Sequence, residues 1–267
     1  MSATRSPAAT VSIITVTYNC AGVVGDALRS VAAQSYGAIE HIVIDGGSKD
    51  GTLEVVKAQG THVARLVSEP DCGIYDAMNK GIALASGDWI GFLNADDMLA
   101  GPDTIARLAA AAEAGPQPAD VVYGDLVYVD ASDTSRVIRY WQSGGFAPSR
   151  LHFGWMPPHP TFYARRELLQ RVGLFDTRMR IAADYDFVLR CLMQANLDVR
   201  YIPEVIVRMR VGGASNRSLR ALTQKSREDL MAIRRSGVGG WLTLACKNLR
   251  KVPQWLRKPP PAGHSAP

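Results

Sequence analysis

In the first hundred residues, short runs rich in apolar residues alternate with longer amphipathic ones, and this alternation constrains the fold more than any other feature. Val11–Thr17 (VSIITVT) is rich in β-branched residues and reads as a buried strand. Over 22–34, Val24, Leu28 and Val31 recur at helical spacing. A second strand over 39–44 runs into the turn-forming residues Asp45 to Gly51. Helix 52–58 follows, with Asp50 as its expected N-cap. Strand 63–67, helix 74–85, strand 89–93 and helix 103–112 continue the series. This order predicts an α/β fold with a Rossmann-like, mostly parallel central sheet flanked by helices.

Beyond Gly115 the pattern shortens. Strands are expected over 121–123, 126–129 and 137–141, an irregular stretch over 148–160, and helices over 165–172 and 184–194. A basic amphipathic helix over 216–235 turns Leu219, Leu222, Leu230 and Ile233 to one side. A further helix over 241–252 is limited by Pro253. Residues 1–10 and 258–267 are expected to be disordered.

Charge divides the chain. Residues 216–267 hold eleven Lys/Arg against two Asp/Glu, whereas residues 1–215 hold 19 against 23. A basic tail on an acidic body suggests an anionic partner, either membrane lipid or nucleic acid. The four cysteines are far apart, with no CxxC pair, which disfavours a structural zinc site and makes a reducing compartment the default. The N-terminus lacks a signal-peptide pattern, and no window is long and apolar enough to span a bilayer. A cytoplasmic protein is expected.

Ligands of open parallel sheets bind beyond the carboxyl ends of the strands. Thr15, Thr17 and Asn19 close the first strand, Asp45 closes the second, Glu69 and Asp71 follow the third, and Asn94, Asp96 and Asp97 follow the fourth. There is no GxGxxG after the first strand, no Walker-type loop, no GxSxG elbow and no HExxH pair. A diphosphate bound among carboxylates needs a hard divalent cation to offset its charge, and Asp96 and Asp97 suit that ion. Each acid also has a structural reading: Asp45 as a turn residue, and Asp96 or Asp97 as a cap of the next helix.

The segments VSIITVTYN, IDGGSKDGT, EPDCGIYDAMNKGIALASGDWIGFLNADD and AADYDFVLR together resemble the family 2 glycosyltransferases of the GT-A fold, over roughly residues 11–210. The EPDCGIYDAMNKG stretch resembles a bacterial subgroup that builds cell-surface polysaccharides and glycolipids. The resemblance implies a GT-A catalytic domain over 11–215, with a nucleotide-binding half (11–100) and an acceptor-binding half (101–215), followed by a basic helical extension over 216–257.

Residue roles follow from the same resemblance. Thr15, Thr17, Asn19, Asp45 and Ser48 would line the nucleoside pocket, with Asp71 and Lys80 flanking the nucleotide. Asn94, Ala95, Asp96 and Asp97 match the DxD-type motif, with Asp97, then Asp96, as ligands of Mg or Mn. Asn94 stands where an acid is common. Asp184 matches the catalytic base of the Glu-Asp motif, in which Ala183 replaces the usual Glu. Asp184 also suits a helix N-cap, and the two roles can coexist.

Trp155 is read either as an acceptor floor or as core, and His159 as an acceptor contact or a structural hydrogen-bonder. Arg210 and Ser215 belong to a segment resembling a loop that closes over the diphosphate. The activity implied is inverting, metal-dependent transfer from a nucleotide-diphosphate sugar to a glycan or lipid-linked acceptor. A sugar nucleotidyltransferase and a non-catalytic nucleotide-sugar binder are the alternatives. Tryptophans and leucines interleaved with Lys and Arg over 241–258 fit peripheral attachment to an anionic leaflet, here the inner face of the plasma membrane; packing on the catalytic domain is the other reading. No nucleic-acid motif is present, so nucleic acid is not the expected partner.

Overall fold

Four parallel strands end side by side. In the computed structural model, which describes residues 8–212, 219–257 and 259, these are β1 (Val11–Thr17), β2 (Ile39–Asp45), β3 (Val63–Ser68) and β4 (Trp89–Phe92), in the order β3-β2-β1-β4. The register sets Thr17 opposite Asp45, and Asp45 opposite Ser68, so the polar strand ends meet at one edge. All of β1 is buried, as its β-branched composition requires for a strand covered on both faces.

Helices α1 (Val24–Ala32), α2 (Thr52–Gln59), α3 (Ile74–Leu84) and α4 (Thr104–Glu113) fill the connections. Ile14, Val16, Ile42 and Ile44 pack against Tyr75 and Met78 of α3. On the other face, Val11 and Ile13 share a cluster with Ala27 and Val31 of α1 and with Ile105 and Leu108 of α4. Asp50 does not cap α2. Gly51 occupies the N-cap in a left-handed conformation, while Asp50 accepts the N–H groups of Ala21 and Thr52.

The second half extends the sheet. Next to β4 lies β8 (Tyr163–Arg165), then β6 (Val121–Val129), β9 (Val199–Arg210) and the two-residue β5 (Met98–Leu99), with β7 (Val137–Trp141) off β6. These pairings are antiparallel, except that β6 and β9 run parallel. The two strands expected over 121–129 are one, whose pairing shifts register around Asp125. Three strands, β5, β8 and β9, were not expected. β9 carries Arg200, Pro203, Glu204 and Arg208, which mask its periodicity, and its pairing with the distant β6 supplies the stabilisation. The irregular stretch contains α5 (Pro148–Leu151) and a 3-10 turn (His159–Thr161), and is followed by α6 (Arg166–Val172) and α7 (Ala183–Leu192).

The basic extension forms α8 (Leu219–Arg235), α9 (Trp241–Leu249) and a 3-10 turn (Val252–Trp255). Its Leu230, Ile233, Val238 and Leu244 are buried in the same cluster as Tyr185 and Phe187 of α7. Leu222, expected on the apolar side of α8, is 45% exposed among the described residues.

Candidate active site

The loops after β1 and β2 are tied by reciprocal hydrogen bonds. The Asn19 N–H donates to Ser48 Oγ at 2.9 Å, and the Lys49 N–H donates to Asn19 Oδ1 at 2.9 Å. Asn19 sits at φ 46°, a left-handed conformation that Asn tolerates. Asp45 is fully buried beneath this clamp. It accepts Thr17 Oγ at 3.0 Å, the N–H groups of Gly47 and Ser48 at 3.0 and 2.9 Å, Ser68 Oγ at 2.7 Å and the Ser48 hydroxyl. Burial pushes the Asp45 carboxyl up, but the bonds from Ser48, Ser68 and Thr17 outweigh it and hold it below the usual carboxylate range. Asp45 therefore shapes the loop from inside. Thr15 is likewise internal, 2.9 Å from His41 Nε2.

Tyr18, 65% exposed, and Asp71 flank Gly46. A Cβ at Gly46 would overlap the Asp71 carboxylate and crowd the Tyr18 ring. Asp71 is fixed by accepting the Gly73 N–H at 2.8 Å. Lys80 donates to the Pro70 carbonyl at 3.0 Å and pairs with Glu69 at 2.8 Å, so its ammonium braces the loop that presents Asp71.

After β4 the chain turns through Asn94 to Asp97, closed by the Asp97 N–H donating to the Asn94 carbonyl at 3.0 Å. Asn94 Nδ2 donates to Asp97 Oδ2 at 2.9 Å. The two acids sit differently: Asp97 is fully buried, whereas Asp96 is partly exposed. Asp97 Oδ1 is buried with no hydrogen-bond partner among the described residues. Burial first, then the neighbouring Asp96 charge, push the Asp97 carboxyl well above its ordinary range, while Asn94 and Arg210 pull it back. An orphaned carboxylate oxygen beside a second carboxylate fits a cation. Among the described residues no group of three His, Cys, Asp or Glu gathers around one point, so the protein offers at most a partial ligand set. That suits Mg2+ or Mn2+ bound jointly by one or two carboxylates and the donor's phosphates.

Arg210, at the end of β9, donates to the Asp96 carbonyl at 3.1 Å and pairs with Asp26 of α1. The guanidinium thus holds the carboxylate turn from below. Ser215 lies outside the described residues.

Asp184 is partly exposed in the first turn of α7. Tyr75 Oη donates to the Ile181 carbonyl at 2.8 Å and lies 3.4 Å from Asp184 Oδ1. The N-cap, Ala182, makes no side-chain cap. Glu228 of α8 replaces it, accepting the N–H groups of Arg180, Ile181 and Ala182 at 3.0, 2.8 and 2.9 Å. Lys247 of α9 lies 3.5 Å from the centre of the Tyr185 ring and donates to Asp229 at 2.5 Å.

Asp97 and Asp184 both act on the phenol of Tyr128, whose pKa is raised by burial first and then by these two charges, with Arg139 opposing. The Arg139 guanidinium lies 4.5 Å from the centre of the Tyr128 ring. Sequence reasoning missed Tyr128, Arg139 and Glu228. A signal for Glu228 exists, because Glu228 and Asp229 are the two acids of an otherwise basic extension.

Trp155 and His159 lie in the core, not on an open wall. Trp155 is 4% exposed and donates its indole N–H to the Ser143 carbonyl at 2.8 Å. His159 stacks on Phe92 at 5.1 Å and meets Phe175 edge-on. Burial pulls the His159 imidazole below its ordinary pKa, against the opposing pull of Asp184. The aromatic layer formed with Phe175 and Phe187 is what draws the ring inward.

Residues 12–181 match the family model described as Glycosyl transferase family 2. A PGL/p-HBAD biosynthesis glycosyltransferase of Mycobacterium tuberculosis is 38% identical over 209 residues, covering 77% of this chain and 78% of that protein. Succinoglycan biosynthesis protein ExoO of Rhizobium meliloti is 29% identical over 189 residues, covering 66% of this chain and 53% of ExoO. S. aureus TarS 1-349, in complex with UDP-GlcNAc, superimposes with a TM-score of 0.66 at 19% identity, over 90% of this chain and 70% of that one. The mannosyltransferase PcManGT of Pyrobaculum calidifontis, in complex with GDP-Man and Mn2+, gives a TM-score of 0.62 at 19% identity, over 95% and 77%.

Proposed function

The chain belongs to glycosyltransferase family 2 and has the GT-A fold, and from that premise we propose that it moves a sugar from a nucleotide-diphosphate sugar to an acceptor hydroxyl with inversion. One observation carries the reading: in the turn after β4, Asp97 Oδ1 is buried without a hydrogen-bond partner among the described residues, beside the partly exposed Asp96. The nucleoside lies over Gly46 and Gly47 between Tyr18 and Asp71, where a glycine leaves the backbone bare. Asp45, Ser48 and Asn19 keep that surface in shape from beneath.

Asp96, the more accessible acid of the turn, reaches the diphosphate side, and Asp97 with its unpartnered Oδ1 backs it. A Mg2+ or Mn2+ ion held there would stabilise the charge that develops on the departing diphosphate. Asp184 takes the proton from the acceptor hydroxyl as its oxygen attacks the anomeric carbon opposite the leaving group. The attack is a single displacement, so the configuration inverts. The relatives' names, PGL/p-HBAD and succinoglycan biosynthesis, support a glycan or lipid-linked acceptor in bacterial envelope assembly.

The test is Asp184→Asn, with thermal shift against a panel of nucleotide-sugars reporting donor binding and product formation reporting turnover. Loss of turnover with retained donor binding is expected; if both survive, Asp184 is not the base. Transfer that continues undiminished in excess EDTA would remove the metal from the scheme.

A further inference from the structure

We propose that the outward face of α9, with the turn that follows it, docks on a lipid surface bearing anionic headgroups. The docking itself does not depend on the transfer mechanism above. α9 is apolar on the wrong side for a helix that merely packs on its domain. Its inward face is Thr243, Leu244 and Lys247. Its outward face presents Trp241, Leu242 and Leu249, which are 67%, 75% and 67% exposed. Positions 241, 242, 245 and 249 fall on one helical stripe. The stripe continues through Val252, Trp255 and Leu256, the last 83% exposed. A contiguous exposed apolar ridge marks a surface meant to be covered.

Charge identifies what covers it. Residues 219–257 hold nine Lys/Arg and two acids, and both acids are turned inward. Glu228 is spent on three backbone N–H groups, and Asp229 on Lys225 and Lys247. Arg234, Arg250 and Arg257 stay exposed beside the ridge, with Arg234 lying 5.9 Å from the Trp241 ring centre. An open groove of about 620 Å³ next to Trp241 brings Arg227 and Arg234 over Leu230 and Met231. Tryptophan and leucine at depth, with guanidinium groups at the rim, match the acyl boundary and headgroups of an anionic leaflet. A second copy of the chain would set two cationic rims against each other. Nucleic acid would reward the arginines and leave the apolar ridge in water.

No helix among the described residues is long and apolar enough to cross a membrane, so the contact is peripheral. The ridge also leads toward Tyr128. The Trp255 ring centre is 5.6 Å from the Arg139 guanidinium, which itself stacks on Tyr128. A membrane-bound acceptor would therefore enter beside Tyr128, a step that does rest on the proposed transfer.

The experiment is co-sedimentation of the full chain with phosphatidylcholine vesicles and with vesicles containing phosphatidylglycerol. Binding is expected to the anionic vesicles only, weakened by salt, and reduced about tenfold in the double variant Leu242→Glu, Leu249→Glu. Both side chains are exposed, so an unchanged thermal unfolding midpoint controls for folding. Three results would overturn the proposal: no sedimentation with anionic vesicles, equal sedimentation with neutral ones, or no loss in the variant. Should the wild type instead form a dimer that the variant abolishes, and bind neither vesicle, the ridge is a contact between copies. Duplex DNA retained by the wild type and lost by the variant, again without vesicle binding, assigns the ridge to nucleic acid and equally overturns the proposal.

Discussion

Glu228 accepts the backbone N–H of Ala182 at 2.9 Å and thereby caps, from another helix, the helix on which Asp184 stands two residues later. The same carboxylate takes the N–H groups of Arg180 and Ile181, so it also pins the segment that leads into α7, whose N-cap side chain makes no cap. Burial raises the Glu228 carboxyl, but the three backbone bonds and Gln224 outweigh it and hold it below its ordinary range. Its charge also favours the positive end of α7.

Glu228→Ala should leave three backbone donors without partners. The expected cost is about 2 kcal/mol, or a drop of roughly 5 °C in the unfolding midpoint. Turnover should fall further than donor affinity, because the displaced segment is the one that aims Asp184. Glu228→Gln keeps an acceptor in place and should recover most of the stability. An alanine variant with unaltered kcat would show that the cap does not position the base.

Lys247 and Asp229 form a pair buried beneath Tyr185, at 7% and 2% side-chain exposure. Burial pulls the Lys247 ammonium's pKa down, and Asp229 pulls it back up. Removing one member leaves the other charge buried. Lys247→Met should therefore cost about 3 kcal/mol, with Lys225 still compensating part of the loss. Adding Asp229→Asn should bring the double variant closer to the wild type than Lys247→Met alone. Urea unfolding of the four proteins reads the coupling, and strictly additive values would contradict it.

The nucleotide-binding half was legible because three of its strands, β1, β2 and β4, are buried on both faces, and β1 is written in a β-branched run, VSIITVT. β9 was not, since Pro203, Glu204 and its arginines carry no strand signature, and its stability comes from pairing with β6 nearly eighty positions earlier. At the site, Asn94 to Asp97 and Asp184 were recognisable as positions. Their environments were not. Which of Asp96 and Asp97 is buried depends on Arg210, whose guanidinium holds the turn from the far end of β9. That Asp45 has its oxygens occupied follows from serines on two other segments, Ser48 and Ser68. Trp155 and His159 each kept two readings because local sequence does not reveal the aromatic cluster of Phe92, Phe175 and Phe187 that encloses the histidine, or the Tyr123 and Phe146 rings beside the tryptophan.

His41 makes the fold sensitive to acid. It is fully buried in β2, with Nε2 2.9 Å from Thr15 Oγ and Nδ1 3.0 Å from His62 Nε2. Burial, and secondarily His62, lower its pKa to about 3. In the unfolded chain the imidazole takes a proton near pH 6.5, so the unfolded state binds more protons as pH falls through that value. This contribution to stability is complete above pH 6.5 and is lost progressively down to about pH 3, by up to about 1.4 kcal/mol per pH unit. His41→Gln should flatten the dependence of the unfolding midpoint on pH between about pH 6 and pH 4. An unchanged slope would assign acid sensitivity to other groups.

Gly46 separates donor binding from folding. It follows β2 directly, and its missing Cβ is what lets the Asp71 carboxylate and the Tyr18 ring close over the backbone. Asp71 has little freedom to retreat, because its other oxygen holds the Gly73 N–H. Gly46→Ala must therefore push Asp71 or Tyr18 outward, across the surface assigned to the nucleoside. Neither side chain belongs to the buried core, so stability should change by no more than about 1 kcal/mol. The donor KM should rise by about tenfold while kcat at saturating donor stays close to that of the wild type, the signature of lost ground-state binding. Isothermal titration with a non-transferable nucleotide-sugar analogue measures the first effect directly. A variant that binds the analogue as tightly as the wild type would move the nucleoside away from Gly46, and with it the assigned roles of Tyr18 and Asp71.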